Sequence, residues 1–309
     1  MSFNNIEAAA QSACENVGIN FKPFPNDGVF HVVDATDGKK SNGAGRLKFF
    51  ADGQGGIVSN WKTGQTQSFF INGVGEPTPP AELERIKREQ QKRAAEQVKQ
   101  QDKAARRAVE MWQAAKPAPA DHPYLIRKQV KPHALRVASW PRSVVNEQGQ
   151  RQPLIIENVL ILPMYNATGN LRSLQGIFPE KHPLLNRDKD FLPGGQLAGL
   201  FWWIGPKTEK VLVCEGAATA FTLHEETGHR VYMAFTANNL MAVGRIVREK
   251  LPDAEIIFCA DNDTATAGNP GLTKATAAAQ AVGASLAVPP ISGDFNDYAI
   301  LTKAVANGN

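Results

Sequence analysis

Beyond Lys210 the chain alternates four times between a short apolar segment and a segment with helical periodicity. The apolar segments span residues 211–214, 231–235, 255–260 and 285–288, and the helical segments span residues 217–226, 239–250, 272–281 and 296–306. Short strands that alternate with helices are typical of parallel sheets, because each crossover between parallel strands needs a long connection that is usually a helix. The pattern therefore predicts an α/β fold, with a parallel sheet and flanking helices on both of its faces.

Three regions of different composition precede this sheet. Residues 1–76 combine one amphipathic helical segment with β-rich runs at 28–33, 46–50, 57–61 and 67–71, and they predict a small helix-plus-β domain. Residues 77–116 begin with prolines and become rich in Ala, Glu, Gln, Lys and Arg, which predicts a long, charged, solvated helical linker. Residues 117–207 predict an α+β subdomain with strands at 159–164 and 171–177, and residues 208–309 hold the parallel sheet.

Composition narrows the expected environment and partners. The 309 residues contain no apolar run near the roughly 18 residues of a membrane span and begin without a secretory pattern, so we expect a cytoplasmic protein without membrane contact. The three cysteines, Cys14, Cys214 and Cys259, are too few for a four-cysteine zinc site and predict reduced thiols. A net charge of +4 permits a nucleic-acid partner without establishing one.

Acidic residues follow three of the predicted strands, at the edge where ligands bind in open parallel sheets. They are Glu215, Asp261, Asp263, Asp294 and Asp297. A lone Asp-x-Asp segment is most often a turn or a helix cap, but three acidic strand ends in one sheet favour a functional role. Carboxylates crowded at one edge repel each other, and one or two Mg²⁺ ions would neutralise that charge. The sequence therefore predicts a divalent-metal site centred on Glu215, Asp261 and Asp263.

Three short motifs resemble those of the Toprim domain, which bacterial-type primases, topoisomerases, some nucleases and certain recombination proteins share. The motifs are Glu215-Gly216, Asp261-Asn262-Asp263 and Asp294-Phe295-Asn296-Asp297, and the resemblance covers residues 208–305. Upstream, His122-Pro123-Tyr124-Leu125 and the Lys189–Gly195 segment are similar to the region that precedes this domain in Toprim primases of phages, plasmids and mobile elements. The upstream similarity is looser than the Toprim similarity.

The resemblance implies a DNA primase that makes short RNA primers on a single-stranded DNA template from ribonucleoside triphosphates. It implies two Mg²⁺ or Mn²⁺ ions held mainly by Asp261, Asp263 and Asp297, with Asp294 as a further ligand. Glu215 would be the catalytic acidic residue, either as general base or through a metal-bound water. Phosphate binding needs cations, for which Lys189 is the leading candidate, followed by Arg172 and Arg127.

The chain departs from many primases in its N-terminal region, where only Cys14 and His31 are available and no zinc site is expected. The aromatic residues there would either stack on template bases or form a small core, and the core is the more common use. They are Phe49, Phe50, Trp61, Phe69 and Phe70. The 309 residues contain no phosphate-binding loop of the helicase type, so we expect any replicative helicase partner to be a separate protein.

Two alternatives to primer synthesis stay open. A Toprim nuclease would use the same carboxylates to activate water, and a non-catalytic module would bind single-stranded DNA or serve recombination. The Lys189 segment disfavours the nuclease, and the retention of all five carboxylates disfavours the non-catalytic module. A topoisomerase is disfavoured because no gate-sized region accompanies the four tyrosines.

Overall fold

The computed structural model describes residues 5–37, 41–71, 80–146, 148–306 and 308 of the chain. It divides the chain into two compact units, residues 1–96 and residues 97–309, which are described separately below. None of the described helices has an apolar stretch long enough to cross a membrane.

The first unit is a four-stranded antiparallel sheet with one helix on its inner face. Its elements are α1 (Ile6–Val17), β1 (His31–Val33), β2 (Gly45–Phe49), β3 (Gly55–Asn60) and β4 (Thr66–Phe70), and the strands pair in chain order. The Asn5 side chain accepts a hydrogen bond from the Ala8 amide at 2.8 Å, and Gly18 ends α1 with a φ of 70°. The predicted helix and four strands are therefore confirmed, with ends that shift by a few residues.

The helix α2 (Pro80–Ala114) follows, and its last turns belong to the second unit. Residues 87–100 are exposed, as expected for a charged linker. The expectation of a solvated helix is wrong for the end of α2, where Ala104 and Ala108 are buried among Trp140, Ile161 and Leu174. Small alanine side chains at this spacing let the helix lie close against a sheet.

The second unit begins with an antiparallel sheet in which five strands pair in chain order. Its elements are β5 (Lys116–Pro117), α3 (Pro123–Lys128), β6 (Arg136–Val145), β7 (Arg151–Tyr165), β8 (Leu171–His182) and β9 (Arg187–Phe191). The two strands predicted at 159–164 and 171–177 lie inside β7 and β8. The pattern of the sequence did not identify β6 or β9.

The rest of the second unit is the predicted α/β sheet. Its elements are β10 (Trp202–Ile204), β11 (Lys210–Cys214), α4 (Ala217–Thr227), β12 (Arg230–Met233), α5 (Leu240–Lys250), β13 (Glu255–Cys259), α6 (Pro270–Ala281), β14 (Ser285–Ala287) and α7 (Phe295–Ala306). The strand order is β10-β12-β11-β13-β14, and the last four strands in sequence are parallel. The four predicted β-α units are therefore confirmed, with an antiparallel edge strand, β10, added beside β12.

The two faces of the parallel sheet are covered differently. Val211 and Val213 pack with α5 and α6, whereas Leu212 and Cys214 pack with α4 and with the antiparallel sheet through residues such as Leu162. Helices therefore lie on both faces, but on one of them the antiparallel sheet completes the cover. Residues of the two sheets pack together in one core. This shared core does not mark a boundary between them, and the division into domains at 117–207 and 208–309 remains a prediction.

One buried acid fixes the strand β9 to the rest of the antiparallel sheet. Asp190 is 6% exposed, accepts a hydrogen bond from Trp140 Nε1 at 3.0 Å, and forms ion pairs with Arg142 and Arg187 at 2.9 and 3.0 Å. A buried carboxylate is tolerated only when its charge and lone pairs are matched in this way. Asp190 therefore determines the position of its neighbour Lys189.

We expect Asp190→Ala to lower the free energy of unfolding by about 3 kcal/mol, because it leaves the buried indole N–H of Trp140 without its acceptor and the partly buried Arg142 without its ion-pair partner. The measurement is urea denaturation followed by circular dichroism. Asp188→Ala serves as the control, since Asp188 lies on the same strand but is only partly buried, and its effect should stay within about 0.5 kcal/mol. Equal losses in the two variants would contradict the role given to Asp190.

Candidate active site at the ends of the parallel strands

The strands β11 and β13 bring two acidic residues to the same edge of the sheet. They are adjacent and parallel, with Cys214 opposite Cys259. Glu215 directly follows β11, and Asp261 lies two residues beyond β13. The carboxylate of Glu215 also accepts a hydrogen bond from the Ala237 amide, at the start of a 3-10 turn (Ala237–Asn239) that follows β12.

Asn262 joins the second and third acidic motifs. Its amide donates to the Gly293 carbonyl at 2.8 Å and its carbonyl accepts from the Gly293 amide at 3.0 Å. Its side chain donates to the Ile291 carbonyl and accepts from the side-chain amide of Asn269, both at 2.9 Å. An asparagine side chain can both donate and accept hydrogen bonds, whereas an ionised aspartate side chain can only accept them. The place of Asn262 inside the Asp261-Asn262-Asp263 motif did not indicate this positioning role.

Asp294 and Asp297 are engaged with the first turn of α7. The Asp297 amide donates to Asp294 Oδ1 at 2.9 Å, and the Asp294 amide donates to Asp297 Oδ2 at 3.3 Å. This reciprocal arrangement is a capping box at a helix N-terminus. Asp297 Oδ1 also pairs with Lys128 Nζ at 3.2 Å. Both carboxylate oxygens of Asp297 therefore have partners. Metal binding by Asp297 remains a prediction, and it would require these contacts to rearrange.

Asn296, between these two acids, anchors α7 in place. Its side chain is 1% exposed and donates to the Lys128 carbonyl at 2.7 Å and to Thr222 Oγ1 at 2.9 Å. These contacts link α7 to the end of α3 and to α4. The only signal in the sequence was its place inside a Toprim-like motif, which did not distinguish an anchor from a ligand.

The carboxylates at this edge affect one another electrostatically. The pKa of Asp261 is raised from its ordinary 3.8 to about 7, chiefly by burial and then by the charges of Glu215, Asp294 and Asp263, while Lys189 opposes the shift. Burial also raises the pKa of Glu215, against the opposing effects of the Ala237 hydrogen bond and Lys189. Four of the five predicted acids therefore share one electrostatic environment.

The donors at this edge fit a divalent cation. Asp261 Oδ1 is buried and has no hydrogen-bond partner in the part of the chain that the structure describes. A buried, unsatisfied carboxylate oxygen among other carboxylates is costly, and oxygen ligands of this kind are those that Mg²⁺ prefers. Within the described ranges no three His, Cys, Asp or Glu side chains are already arranged around one metal position. Asp261, with Asp263 and Asp294 in the same electrostatic environment, would hold an ion, and Glu215 lies beside them at the same edge.

The structure brings one of the three predicted cations to this edge. Lys189 is exposed on β9, and its charge acts on both Glu215 and Asp261. The end of β9 is held there by Phe191, whose ring packs edge-on against the ring of Phe235 with centroids 6.5 Å apart. Phe235 follows β12 and adopts a φ of 68°, an uncommon conformation for a bulky residue.

The side chains of the other two predicted cations, Arg172 and Arg127, bind other groups of the protein. Arg172 pairs with Asp102 of α2 at 2.6 Å. Arg127 donates to the Pro179 carbonyl at 2.9 Å, and its guanidinium lies 5.5 Å from the centroid of the Tyr124 ring. Their roles in nucleotide or template binding remain predictions.

The raised pKa of Asp261 predicts a pH-dependent stability in the absence of metal. Because the folded protein binds this proton more tightly than the unfolded chain, the contribution of Asp261 to stability is fully present below about pH 4 and is lost as the pH rises to about 7. We expect Asp261→Asn to raise the Tm of the metal-free protein above pH 7 and to leave it nearly unchanged at pH 4. The measurement is calorimetry in a chelator from pH 4 to pH 8.

Asp253→Asn is the control for this measurement, since Asp253 is an exposed acid of the same sheet region. Its Tm should follow that of the wild type across the whole range. A gain in Asp261→Asn that is the same at pH 4 and pH 8 would contradict the electrostatic origin.

Comparison with known proteins is consistent with this geometry. Residues 210–304 match the Toprim domain family model. Two Escherichia coli proteins named DNA primase TraC are 28% and 29% identical to the chain over 88% of its length, although the chain spans only 25% and 18% of theirs.

Among solved structures, a DnaG primase catalytic domain bound to ssDNA aligns with a TM-score of 0.43 and 13% identity, covering 70% of this chain and 79% of that one. The RNA polymerase domain of Mycobacterium tuberculosis DnaG has a TM-score of 0.43 and 18% identity, with 69% and 83% covered. By sequence, residues 210–304 are similar to the Toprim domain family, and most of the chain is similar to two proteins named DNA primase.

Proposed function

We propose that this chain is a DNA primase that synthesises short RNA primers on single-stranded DNA by metal-dependent nucleotidyl transfer. The observation that carries the proposal is the Asp261 carboxylate, which has an unpartnered buried oxygen and a raised pKa among three other carboxylates of a Toprim domain. A protein retains such destabilising charge when a ligand uses it, and perturbed carboxylates in this setting are typical of functional sites. The similarity to proteins named DNA primase supports the choice of reaction.

Each residue has a defined part in the proposed reaction. Mg²⁺ or Mn²⁺, when bound, would supply activation of the attacking 3′-hydroxyl and stabilisation of the leaving pyrophosphate. Asp261 and Asp263 would hold the ions, with Asp294 and Asp297 as further ligands. Glu215 would take the proton of the 3′-hydroxyl, because a carboxylate with a raised pKa is a better general base at neutral pH. Lys189 would bind the triphosphate of the incoming ribonucleotide.

Two of these assignments require side chains to change partner. Lys128 has to leave Asp297 if Asp297 binds metal, and the freed ammonium group would then be available to a phosphate or to the template. Asn262 and Asn296 would keep the loops in place during that change, since their hydrogen bonds do not involve the carboxylates of Asp261 or Asp263. A replicative helicase would be a separate partner protein.

The first test supplies single-stranded DNA, labelled ribonucleotides and Mg²⁺ or Mn²⁺, and compares the wild type with Asp261→Ala/Asp263→Ala. We expect short RNA products from the wild type and a loss of at least about a hundredfold in the double variant, because the ions lose their main ligands. Asp253→Ala is the matched control and should remain active, since it removes an exposed aspartate away from the strand ends.

The alternatives predict different products in the same assay. A Toprim nuclease would cut the DNA and make no RNA. A non-catalytic module would bind the DNA and neither cut nor extend it, and its binding would be the same in the double variant. Either outcome would refute primer synthesis by this chain.

A second test separates Lys189 from the other predicted cations. We expect Lys189→Ala to raise the KM for ribonucleotides by about ten- to a hundredfold, the range that loss of a charge-assisted hydrogen bond gives. Arg172→Ala should change the KM little, because the Arg172 guanidinium is paired with Asp102. The measurement is steady-state primer synthesis with the nucleotide varied. A larger rise in Arg172→Ala than in Lys189→Ala would reverse the assignment.

A further inference from the structure

The first unit has a sheet face that α1 does not cover. Strand residues that alternate with the core residues lie on this side, and we call it the outer face. It comprises Val32, Arg46, Lys48, Ile57 and Ser59, together with Phe30 and Trp61, whose rings contact Lys48 and Arg46. The opposite side carries Leu47, Phe49, Val58 and Phe69, which are buried against α1.

The outer face exposes large apolar side chains. Trp61 is 65% exposed, Val32 57% and Phe30 50%. Single exposed apolar residues are ordinary, but three on one face of a small sheet, two of them aromatic, mark a surface that contacts something else. An exposed tryptophan offers a wide flat ring that other planar groups can stack on.

Each exposed aromatic ring has its own cation. The Arg46 guanidinium lies 4.5 Å from the centroid of the Trp61 ring, and Lys48 Nζ lies 5.4 Å from that of Phe30. Arg46 is held in this position by hydrogen bonds from Nη1 to the Gly43 and Gly45 carbonyls at 2.7 and 2.8 Å. Among the residues that the structure describes, neither Arg46 nor Lys48 forms an ion pair, although Lys48 lines a cavity that Asp52 and Glu89 also line. No carboxylate in that part of the chain is therefore already paired with either cation.

The spacing of the two pairs suits a chain of repeating units. Arg46 and Lys48 are two residues apart on β2, so their side chains leave the same face about 6.8 Å from each other. Each pair combines an aromatic surface with a positive charge. A single nucleic-acid strand presents a planar base and a phosphate at each repeat, and binding surfaces for it combine aromatic stacking with cations. Duplex DNA would expose its phosphates but not the faces of its bases.

We propose that the outer face of the first unit binds single-stranded DNA, with unpaired bases stacked at Trp61 and Phe30 and phosphates beside Arg46 and Lys48. The choice of DNA rests on the proposed function, in which single-stranded DNA is the template, whereas the case for a single strand rests on the outer face itself. The surface is distinct from the carboxylate site and needs no metal.

The outer face differs from the aromatic set that the sequence suggested. Phe49 and Phe69 are 1% and 5% exposed, and their rings pack edge-on with centroids 5.7 Å apart, so they belong to the core. Phe50 and Phe70 are partly buried and contact each other. Trp61 is the one member of that set that is largely exposed, and Phe30 was not singled out.

The test measures binding of a fluorescent oligo-dT to the full chain in a chelator by anisotropy. We expect Trp61→Ala and Phe30→Ala each to weaken binding at least about fivefold, the lower end of what loss of one base stack gives. Trp61→Phe, which keeps an aromatic ring, should bind more tightly than Trp61→Ala. The plot of log affinity against log salt should be less steep in Lys48→Ala by about 0.7, the slope for one phosphate contact on a single strand.

Leu184→Ala is the control, since Leu184 is 68% exposed and lies in the other unit. It should bind like the wild type, and all variants should keep the wild-type Tm because none of the changed side chains is buried in a core. Wild-type affinity in Trp61→Ala and Phe30→Ala would overturn the proposal. The proposal would also be overturned if these variants lost affinity for duplex DNA to the same extent, or lost affinity only for single-stranded RNA. A change in oligomeric state without a change in DNA binding would overturn it as well.

The binding test and the primer-synthesis test can refute the two proposals independently of each other. Loss of oligo-dT binding in Trp61→Ala, in a chain whose wild type makes no RNA, would support the outer face and refute the primase assignment. If the wild type makes primers but Trp61→Ala and Phe30→Ala bind oligo-dT as tightly as the wild type, the primase assignment would be supported and the outer-face proposal refuted.

Discussion

The parallel pairing of β11 with β13 is the constraint on which the candidate active site depends. Parallel strands end at the same edge, and the register of Cys214 with Cys259 sets Glu215 and Asp261 there together. The pairing is stabilised by cores on both faces, one shared with α5 and α6 and one with α4 and the antiparallel sheet. The fold thus holds Glu215 and Asp261 at a partly buried edge, and burial, followed by the neighbouring negative charges, raises the pKa values of both.

The crowding is balanced by contacts from other parts of the second unit. Lys189 is delivered by β9, whose position depends on the buried Asp190, and Asn262 and Asn296 fix the loops that carry the remaining acids. These contacts fix the segments around Asp261 Oδ1, which has no hydrogen-bond partner among the residues that the structure describes. Such preorganisation is what a site needs in order to hold cations and phosphates without rearranging its backbone.

The two units present different chemistry to a nucleic acid. In the proposed reaction the second unit would supply carboxylates for cations and Lys189 for phosphates, which suits chemistry at the end of a growing strand. The first unit has two exposed aromatic rings, each with a cation beside it, which suits the binding of unpaired bases. If both proposals hold, contact with the template and chemistry on the primer are the tasks of separate surfaces, so mutations would affect them separately.

The sequence by itself determined the parallel α/β sheet, the acids at its strand ends and the helix and strands of the first unit, because strand periodicity and strand ends are local properties of the chain. It also placed Lys189 ahead of Arg172 and Arg127 as a phosphate ligand, because of the motif in which Lys189 lies. Only the tertiary structure showed that Arg172 pairs with Asp102 seventy residues away, and only it showed that Trp61 is exposed while Phe49 is buried. These outcomes depend on contacts between residues that are distant in the chain, and no local pattern encodes them.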